Sequence, residues 1–352
     1  MNKLAADLEH IQSHTSHLWD EMRGQRIFIT GGTGFFGAWL VESFCHINRE
    51  LGLGAQATLL TRRPEAFRKK CSHLAADPAI TLLEGDVRDF VFPAGEFRFV
   101  IHAATEASAK QAAEEPLEML TTILDGTEQA LKFAVQAGTR KFLLTSSGAV
   151  YGKQPASLSH VPETYTGAPD PLDPASVYSE GKRASELMCA LYEKTTGLEC
   201  KIARCWAFSG PHLPLDTHFA IGNFIGDVLA GRSIQIGGDG TPRRSYLYAS
   251  DLTIWLWTIL FQAPGLIPFN VGSAHDVSIL ELAQAVARSL DAPDVPSTEI
   301  HVAKQAVPDA AVARYVPSVD RAAEMLGLHQ TVSLEDGIRK TAAWHREQGE
   351  GI

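Results

Sequence analysis

The sequence predicts a doubly wound α/β fold: a mostly parallel sheet covered by helices on both faces, joined to a smaller mixed α/β C-terminal region that binds substrate. Three observations predict it. Short apolar β-type runs recur through the first part of the chain, helix-compatible segments separate most of them, and a glycine-rich turn follows the first run directly. Strands alternating with helices pair in parallel and are buried from both sides. With 352 residues, 45% of them hydrophobic, the chain can bury a sizeable core in one large or two modest domains.

From Leu4 to Met22 the apolar positions Leu4, Leu8, Ile11, Leu18 and Met22 fall at mixed three- and four-residue steps, which predicts an amphipathic helix for packing or dimer contact. After Gly24, the run Arg26-Ile27-Phe28-Ile29-Thr30 reads as a strand, and a helix is expected from about Phe36 to Ile47. Further strands are read at Ala57–Leu60, Ile80–Leu83, Phe99–Ile101 and Phe142–Leu144. Proline, serine and aspartate make Gly152–Ser176 a loop, and Val177–Lys194 reads as a helix. Beyond Cys205 the alternation fades. The expected organisation is an N-terminal helical extension over 1–24 and a dinucleotide-binding domain over 25–206, with contributions from about 241–275. A substrate-binding region then covers 207–240 and 276–352.

Composition excludes several classes. The longest apolar run, Leu252–Phe261, is about half of the roughly 20 residues needed to span a bilayer. The start of the chain lacks the basic, apolar and small-residue parts of a secretory signal, so no membrane association and a cytoplasmic location are expected. A net charge of −10 disfavours nonspecific nucleic-acid binding. Five cysteines without CxxC spacing read as reduced thiols, and 13 histidines without HExxH spacing predict no metal site.

The turn after the first strand, Gly31-Gly32-Thr33-Gly34-Phe35-Phe36-Gly37, carries glycines in a GxxGxxG pattern. Glycine there permits a tight turn, close approach of backbone to a pyrophosphate, and close packing of helix on strand, while the helix N-terminus supplies amides and positive dipole. Gly31, Thr33, Gly34, Phe35, Phe36 and Gly37 are therefore read as cofactor-binding residues of a Rossmann-type sheet. An NAD site usually places an acidic residue at the end of the second strand; here stand Arg62 and Arg63, whose guanidinium groups suit a 2′-phosphate. NADP is thus favoured over NAD. Asp86 and Val87, after the third strand, are placed to meet adenine.

Tyr178 and Lys182 share one helix face at a spacing of four. A phenol ionises near pH 10, and a neighbouring ammonium lowers that value, so the pair can exchange a proton while a bound cofactor exchanges a hydride. Taken alone, YxxxK is a frequent helix-surface pair. Ser147, at the end of the strand Phe142–Leu144 and its continuation, supplies the context: its hydroxyl can bond the same substrate oxygen.

With these residues in view, the chain resembles the extended short-chain dehydrogenase/reductases, the NAD-dependent epimerase/dehydratase group, over nearly everything after Gly24. The resemblance is carried by Gly31, Gly34 and Gly37, His102-Ala103-Ala104, Ser147 with Val150-Tyr151-Gly152, Tyr178, Lys182, Gly238-Asp239-Gly240-Thr241 and Arg244-Ser245-Tyr246. It implies cofactor contacts by Ala103 and Ala104 beside Tyr178 and Lys182. It also implies a nucleoside-diphosphate sugar as substrate, with Arg244 on the diphosphate, Asn223 and Arg314 at further nucleotide positions, Ser147 and Thr105 at the sugar, and a homodimer.

Departures from the family narrow the chemistry. Sugar 4,6-dehydratases carry Asp-Glu where this chain has Gly148 and Ala149, and sugar-nucleotide decarboxylases usually keep a glutamate beside the site. Ile123 and Ala207 stand where many relatives have asparagine, and His102, Glu106 and His160 are candidate extra proton donors or sugar contacts. The expected function is a 4-epimerase or 4-ketoreductase. The alternatives are a 4,6-dehydratase or decarboxylase with a non-standard site, a reductase of a small carbonyl compound, and a dinucleotide sensor without chemistry.

Overall fold

The computed structural model describes residues 3–104, 109–217, 219–290, 298–307 and 310–349. In chain order its elements begin with α1 (Ala5–Thr15), a 3-10 turn (Ser16–Met22), β1 (Arg26–Thr30), α2 (Phe35–Glu50), β2 (Gln56–Thr61), α3 (Pro64–Lys70), α4 (Ser72–Ala75), β3 (Ile80–Glu84) and β4 (Phe99–His102). There follow α5 (Ala109–Glu114), α6 (Pro116–Gln136), β5 (Lys141–Ser147), α7 (Val177–Thr196), β6 (Glu199–Cys205), β7 (Phe208–Ser209), α8 (Ala220–Leu229) and β8 (Ile234–Ile236). The remainder comprises β9 (Arg243–Ser245), β10 (Leu247–Tyr248), α9 (Ala249–Gln262), β11 (Pro268–Val271), β12 (Asp276–Ser278), α10 (Ile279–Leu290), β13 (Ile300–Val302), β14 (Arg314–Tyr315), α11 (Asp320–Leu326) and α12 (Leu334–Gln348).

Among the described residues, seven strands form one sheet in the order β11-β6-β5-β4-β1-β2-β3. The pairs β1–β2, β1–β4, β2–β3, β4–β5 and β5–β6 are parallel, as the alternating pattern requires. All seven residues of β5 are buried, which is why its sequence does not alternate polar and apolar positions. The chain divides into two compact units. The first holds 1–152, 166–205 and 253–269; the second holds 153–165, 206–252 and 270–352.

In the first unit, one face of the sheet packs an aromatic cluster, with the Phe28 ring centroid 4.5 Å from that of Phe133 and 5.3 Å from that of Phe90. The N-terminal helix is shorter than its apolar spacing predicts. After Thr15 the backbone tightens into 3-10 geometry. Ser13-His14-Thr15-Ser16-His17 is a run of weak helix formers, and the Ser13 and Thr15 hydroxyls bond back to the carbonyls of His10 and Ile11. Leu8, Ile11, Trp19 and Met22 are nevertheless fully buried in this unit, with Trp19 against Trp257 at 4.7 Å. Two buried lysines close the C-terminal end of α9: Lys141 donates to the Phe261 carbonyl at 2.5 Å and to Glu21, and Lys201 donates to the Ala263 carbonyl and to Glu199. Cations suit that end of a helix because its last carbonyls lack partners.

The second unit is built from short sheets, β7 with β10, β12-β9-β14, and β8 with β13, and from helices α8, α10 and α12 packed on one another. Asn270 ties three of its connecting segments together. Its amide donates to the carbonyls of Val161 and Ser318, and its side-chain oxygen accepts from the Trp206 indole at 3.1 Å. All five cysteines are buried free thiols. No described helix is long and apolar enough to cross a membrane.

Candidate active site

The glycine turn separates into positions required by the fold and one that is not. Gly31 has φ +72°, and a Cβ there would stand 2.4 Å from the Ala103 carbonyl oxygen. At Gly37 a Cβ would stand 2.2 Å from the Gly31 oxygen, so helix α2 could not lie against the turn. Gly34 differs. A Cβ there meets nothing closer than 3.5 Å, and the residue is exposed at the N-cap of α2, where no side chain caps the helix. An uncapped helix N-terminus behind a bare backbone fits a pyrophosphate. Thr33, Phe35 and Phe36 line the same turn, half-buried.

At the end of β2, Arg62 and Arg63 are exposed, and neither forms an ion pair with a described residue. Asp86 is not free: its carboxylate is held by the Arg88 guanidinium through two bonds of 2.8 and 3.1 Å, which keeps it below the usual carboxylate range. The Val87 side chain faces the core, where Gly126 of α6 leaves room for it, so its backbone alone is available to a ligand. Ala103 donates its N–H to Thr30, and Ala104 packs on the core beside it.

Ser147, the last residue of β5, is buried, and its Oγ accepts from the Ala149 amide at 3.1 Å. That leaves its O–H to donate, and a side-chain hydrogen bond joins it to Tyr178. Desolvation pushes the half-buried Tyr178 hydroxyl up to about 12, and the Ser147 bond opposes the rise. One turn on, buried Lys182 donates from Nζ to the Thr145 carbonyl at 2.9 Å, and Nζ stands 5.9 Å from the Tyr178 ring centroid. Burial brings this ammonium down to about 8. Helix α7 begins at this point because Pro174–Ser176 forms a 3-10 turn capped by Asp173, and it stops at Gly197 in the left-handed conformation.

His102 is a structural residue. Thr30 Oγ1 accepts from the Ala103 amide and donates to Nδ1 at 2.8 Å; Nε2–H then donates to Thr127 Oγ1 at 3.3 Å, and Thr127 donates to the Ile123 carbonyl. These partners assign the neutral tautomer, and burial lowers the ring to about 3. Ile123 is buried against Gly181 of α7, where a Cβ would come within 2.9 Å of it. His160 is bonded to the Ala274 carbonyl at 2.9 Å. Thr105 and Glu106 lie outside the described residues. Sequence reasoning missed Glu186 and Arg204, an ion pair of 2.7 Å that also receives the Ser146 hydroxyl, although Glu186 stands four residues beyond Lys182.

In the second unit the two arginines of β9 face opposite ways, as neighbours on a strand do. Arg243 pairs with Asp276 and, at 3.3 Å, with Glu281, and Arg314 reaches the Asp276 carboxylate at 3.0 Å, so each has a carboxylate partner. Arg244 lies over the Tyr315 ring at 5.8 Å and donates to the Arg243 carbonyl, with no carboxylate partner among the described residues. Asp251 accepts from the Thr331 hydroxyl and from the amides of Thr331 and Val332. Asn223, on α8, holds a buried side-chain oxygen without a hydrogen-bond partner.

The model of the NAD dependent epimerase/dehydratase family matches residues 27–272. UDP-glucuronic acid decarboxylase 1 of Arabidopsis thaliana is 30% identical over 334 residues, 93% of this chain and 72% of that protein. A dTDP-glucose 4,6-dehydratase from Streptomyces venezuelae, solved with NAD bound, superimposes with a TM-score of 0.75 at 25% identity, over 92% of this chain and 97% of the other. A UDP-glucose 4-epimerase from Thermotoga maritima shares the fold at a TM-score of 0.75 and 21% identity, over 93% of this chain and 100% of the other.

Proposed function

We propose, since this chain belongs to the NAD-dependent epimerase/dehydratase family, that it is a 4-epimerase or 4-ketoreductase of a nucleoside-diphosphate sugar. The observation that carries the reading is the bonded Ser147–Tyr178 pair, with Lys182 one turn away and no carboxylate at positions 148 and 149.

The turn from Gly31 to Gly37 would hold the pyrophosphate of the cofactor, and Arg62 with Arg63 the phosphate that distinguishes NADP from NAD. A bound dinucleotide supplies hydride acceptance and return. Ser147 orients the sugar oxygen by hydrogen bonding. Tyr178 gives a proton to that oxygen, or takes one from it, and a charged Lys182 lowers the cost of the phenolate. In a reductive direction the tyrosine, held near 12, enters protonated at neutral pH, and its proton transfer depends on Ser147 and a charged Lys182 stabilising the phenolate. Arg244 is assigned to the substrate diphosphate, because its guanidinium offers a fork of donors and no described carboxylate neutralises it.

Water elimination needs an acid and a base beside the reacting carbons, and Gly148 and Ala149 can be neither. Loss of carbon dioxide asks for less. A carboxylate on the carbon next to a newly formed ketone would depart as carbon dioxide without a base; that carbon would then take up a proton, and return of the hydride, with a proton from Tyr178 to the oxygen, would restore the alcohol. The likeness to UDP-glucuronic acid decarboxylases supports this second reading.

The exposed leucines 117 of α6 and 187 and 191 of α7 are assigned to a homodimer contact. The test of function is incubation with a panel of UDP-, dTDP-, GDP- and CDP-sugars, including UDP-glucuronic acid and 4-keto sugar nucleotides, and with small carbonyl compounds alongside, in the presence of NADPH or NAD, with products separated by chromatography and weighed by mass spectrometry. An isomer of unchanged mass supports the epimerase, gain of two hydrogens the ketoreductase, and loss of carbon dioxide the second reading. Turnover confined to small carbonyl compounds, or no turnover despite cofactor binding, overturns both.

A further inference from the structure

Beneath the proton-transfer residues lies a charged group that the proposed chemistry does not use. Glu186, on α7 four residues after Lys182, accepts from Ser146 Oγ at 2.5 Å and receives Arg204 of β6 through two bonds of 3.0 and 2.7 Å. Both side chains are mostly buried, at 13% and 15% exposure. Ser146 immediately precedes Ser147, and in the sheet Ser146 lies opposite Arg204 as Ser147 lies opposite Cys205. Arg204 also stacks over the Tyr151 ring at 4.7 Å, while Arg183 of α7 donates to the Val150 carbonyl at 3.1 Å. The segment 146–152, which carries Ser147, is thereby fastened to the helix that carries Tyr178 and Lys182.

A buried ion pair is a weak source of stability, because desolvating two charges offsets most of their attraction and apolar replacements often serve as well. Its retention here needs another reason. We infer that Glu186, held by Arg204 and Ser146, is the positioning residue of this site: it keeps Lys182 charged and fixes the end of β5 against α7. This rests on the proposed reading of Ser147, Tyr178 and Lys182.

The groups that face Lys182 define what Glu186 adds. On α7 they are Tyr178, Glu186 and Cys189; β5 presents the Thr145 carbonyl, β6 presents Cys205, and β4 presents the neutral His102. Burial alone drives the lysine towards its uncharged form. The Cys205 thiol is pushed up to about 12 and the Cys189 thiol is raised as well, so both are uncharged at neutral pH, and Glu186 is the carboxylate that opposes the loss. Removing a negative charge beside a cation lowers the pH at which the cation gives up its proton. In E186Q, Lys182 therefore loses its charge at lower pH than in the unaltered chain.

The experiment is a pH titration of the lysine Nζ resonances by 15N NMR in the full chain, with the Lys182 signal assigned by its absence in K182R. The midpoint near 8 is expected to fall by about one pH unit in E186Q. The alkaline limb of kcat is expected to move down by the same amount, a change that a merely structural residue does not produce. Should E186Q strand Arg204 and unfold, the double variant E186M/R204M removes both charges together and is expected to keep the fold and show a smaller fall, because the cation that opposes Glu186 is lost with it. An unchanged or raised Lys182 midpoint in a folded variant overturns the inference. The NMR titration needs no turnover, so it stands apart from the functional reading, which fails instead if Y178F keeps full activity.

Discussion

A side chain added at Gly37 in the first unit would sit 2.2 Å from a carbonyl oxygen, whereas in the second unit three arginines of one small sheet differ mainly in what they pair with. The first unit encodes its site in backbone clearance and in the fixed spacing of a helix. In the second, the proposed recognition rests on which cation is left over once the local carboxylates are taken. Backbone requirements restrict the residue at one position and show in the sequence; a leftover charge depends on neighbours that are distant along the chain.

The strongest way to break the contrast is Tyr178→Phe. The ring, the helix and the cofactor turn stay in place, and the proton donor is lost. Turnover is expected to fall by about 10³-fold or more, with dinucleotide affinity little changed by fluorescence titration. Residual activity within about tenfold would move the proton transfer to another group. Next in size is Gly37→Ala, which is expected to destabilise the chain by ~2–4 kcal/mol and to abolish dinucleotide binding, measured by chemical unfolding and by titration. Gly34→Ala sharpens the point. Its Cβ has room in the cofactor-free fold, so its stability is expected to stay near that of the unaltered chain while dinucleotide affinity falls. A destabilised Gly34→Ala would mean that the fold, not the ligand, requires that glycine.

How much of this was legible follows from the same contrast. The strands of the sheet, the turn from Gly31 to Gly37, and the register of Ser147 with Tyr178 and Lys182 could be read because each rests on local spacing or on continuous burial. The early end of α1 could not be read from apolar steps alone, since it depends on the hydroxyls of Ser13 and Thr15 bonding back to the helix. Asp86, read as placed to meet adenine, is held in a bidentate pair by Arg88, two residues on, which its place after the third strand did not announce. Arg314, read as a nucleotide contact, shares Asp276 with Arg243, 71 positions away by number, a pairing that no local spacing reveals. Glu186 and Arg204 carried no local sign of their pairing beyond their places one turn past Lys182 and one residue before Cys205.

In the second unit the comparison is tested by Arg244→Met set beside Arg314→Met. A charge-assisted bond to a diphosphate is worth about 1.5–3 kcal/mol, so Arg244→Met is expected to raise KM for the sugar nucleotide by about ten- to a hundredfold with kcat nearly unchanged. Arg314→Met leaves Asp276 paired with Arg243 and is expected to change KM by no more than about threefold, within the range of a partly exposed ion pair. Equal effects would show that pairing with Asp276 does not remove an arginine from recognition.

The smallest expected effect lies at the other end of the cofactor. Arg62 and Arg63 are exposed and unpaired among the described residues, so water and salt weaken whatever they bind. A 2′-phosphate nonetheless brings a charge that a neutral ribose lacks, and β2 ends without the carboxylate that would repel it. The double variant R62A/R63A is expected to lower the ratio of NADP affinity to NAD affinity by about tenfold at low salt, and by less at high salt, when the two are titrated side by side. If the ratio does not move, these arginines are solvated surface and the preference for NADP loses its physical basis. If the ratio moves while the affinity for NAD itself holds, the first unit too contains a site governed by leftover charge, set within a frame that backbone clearance dictates.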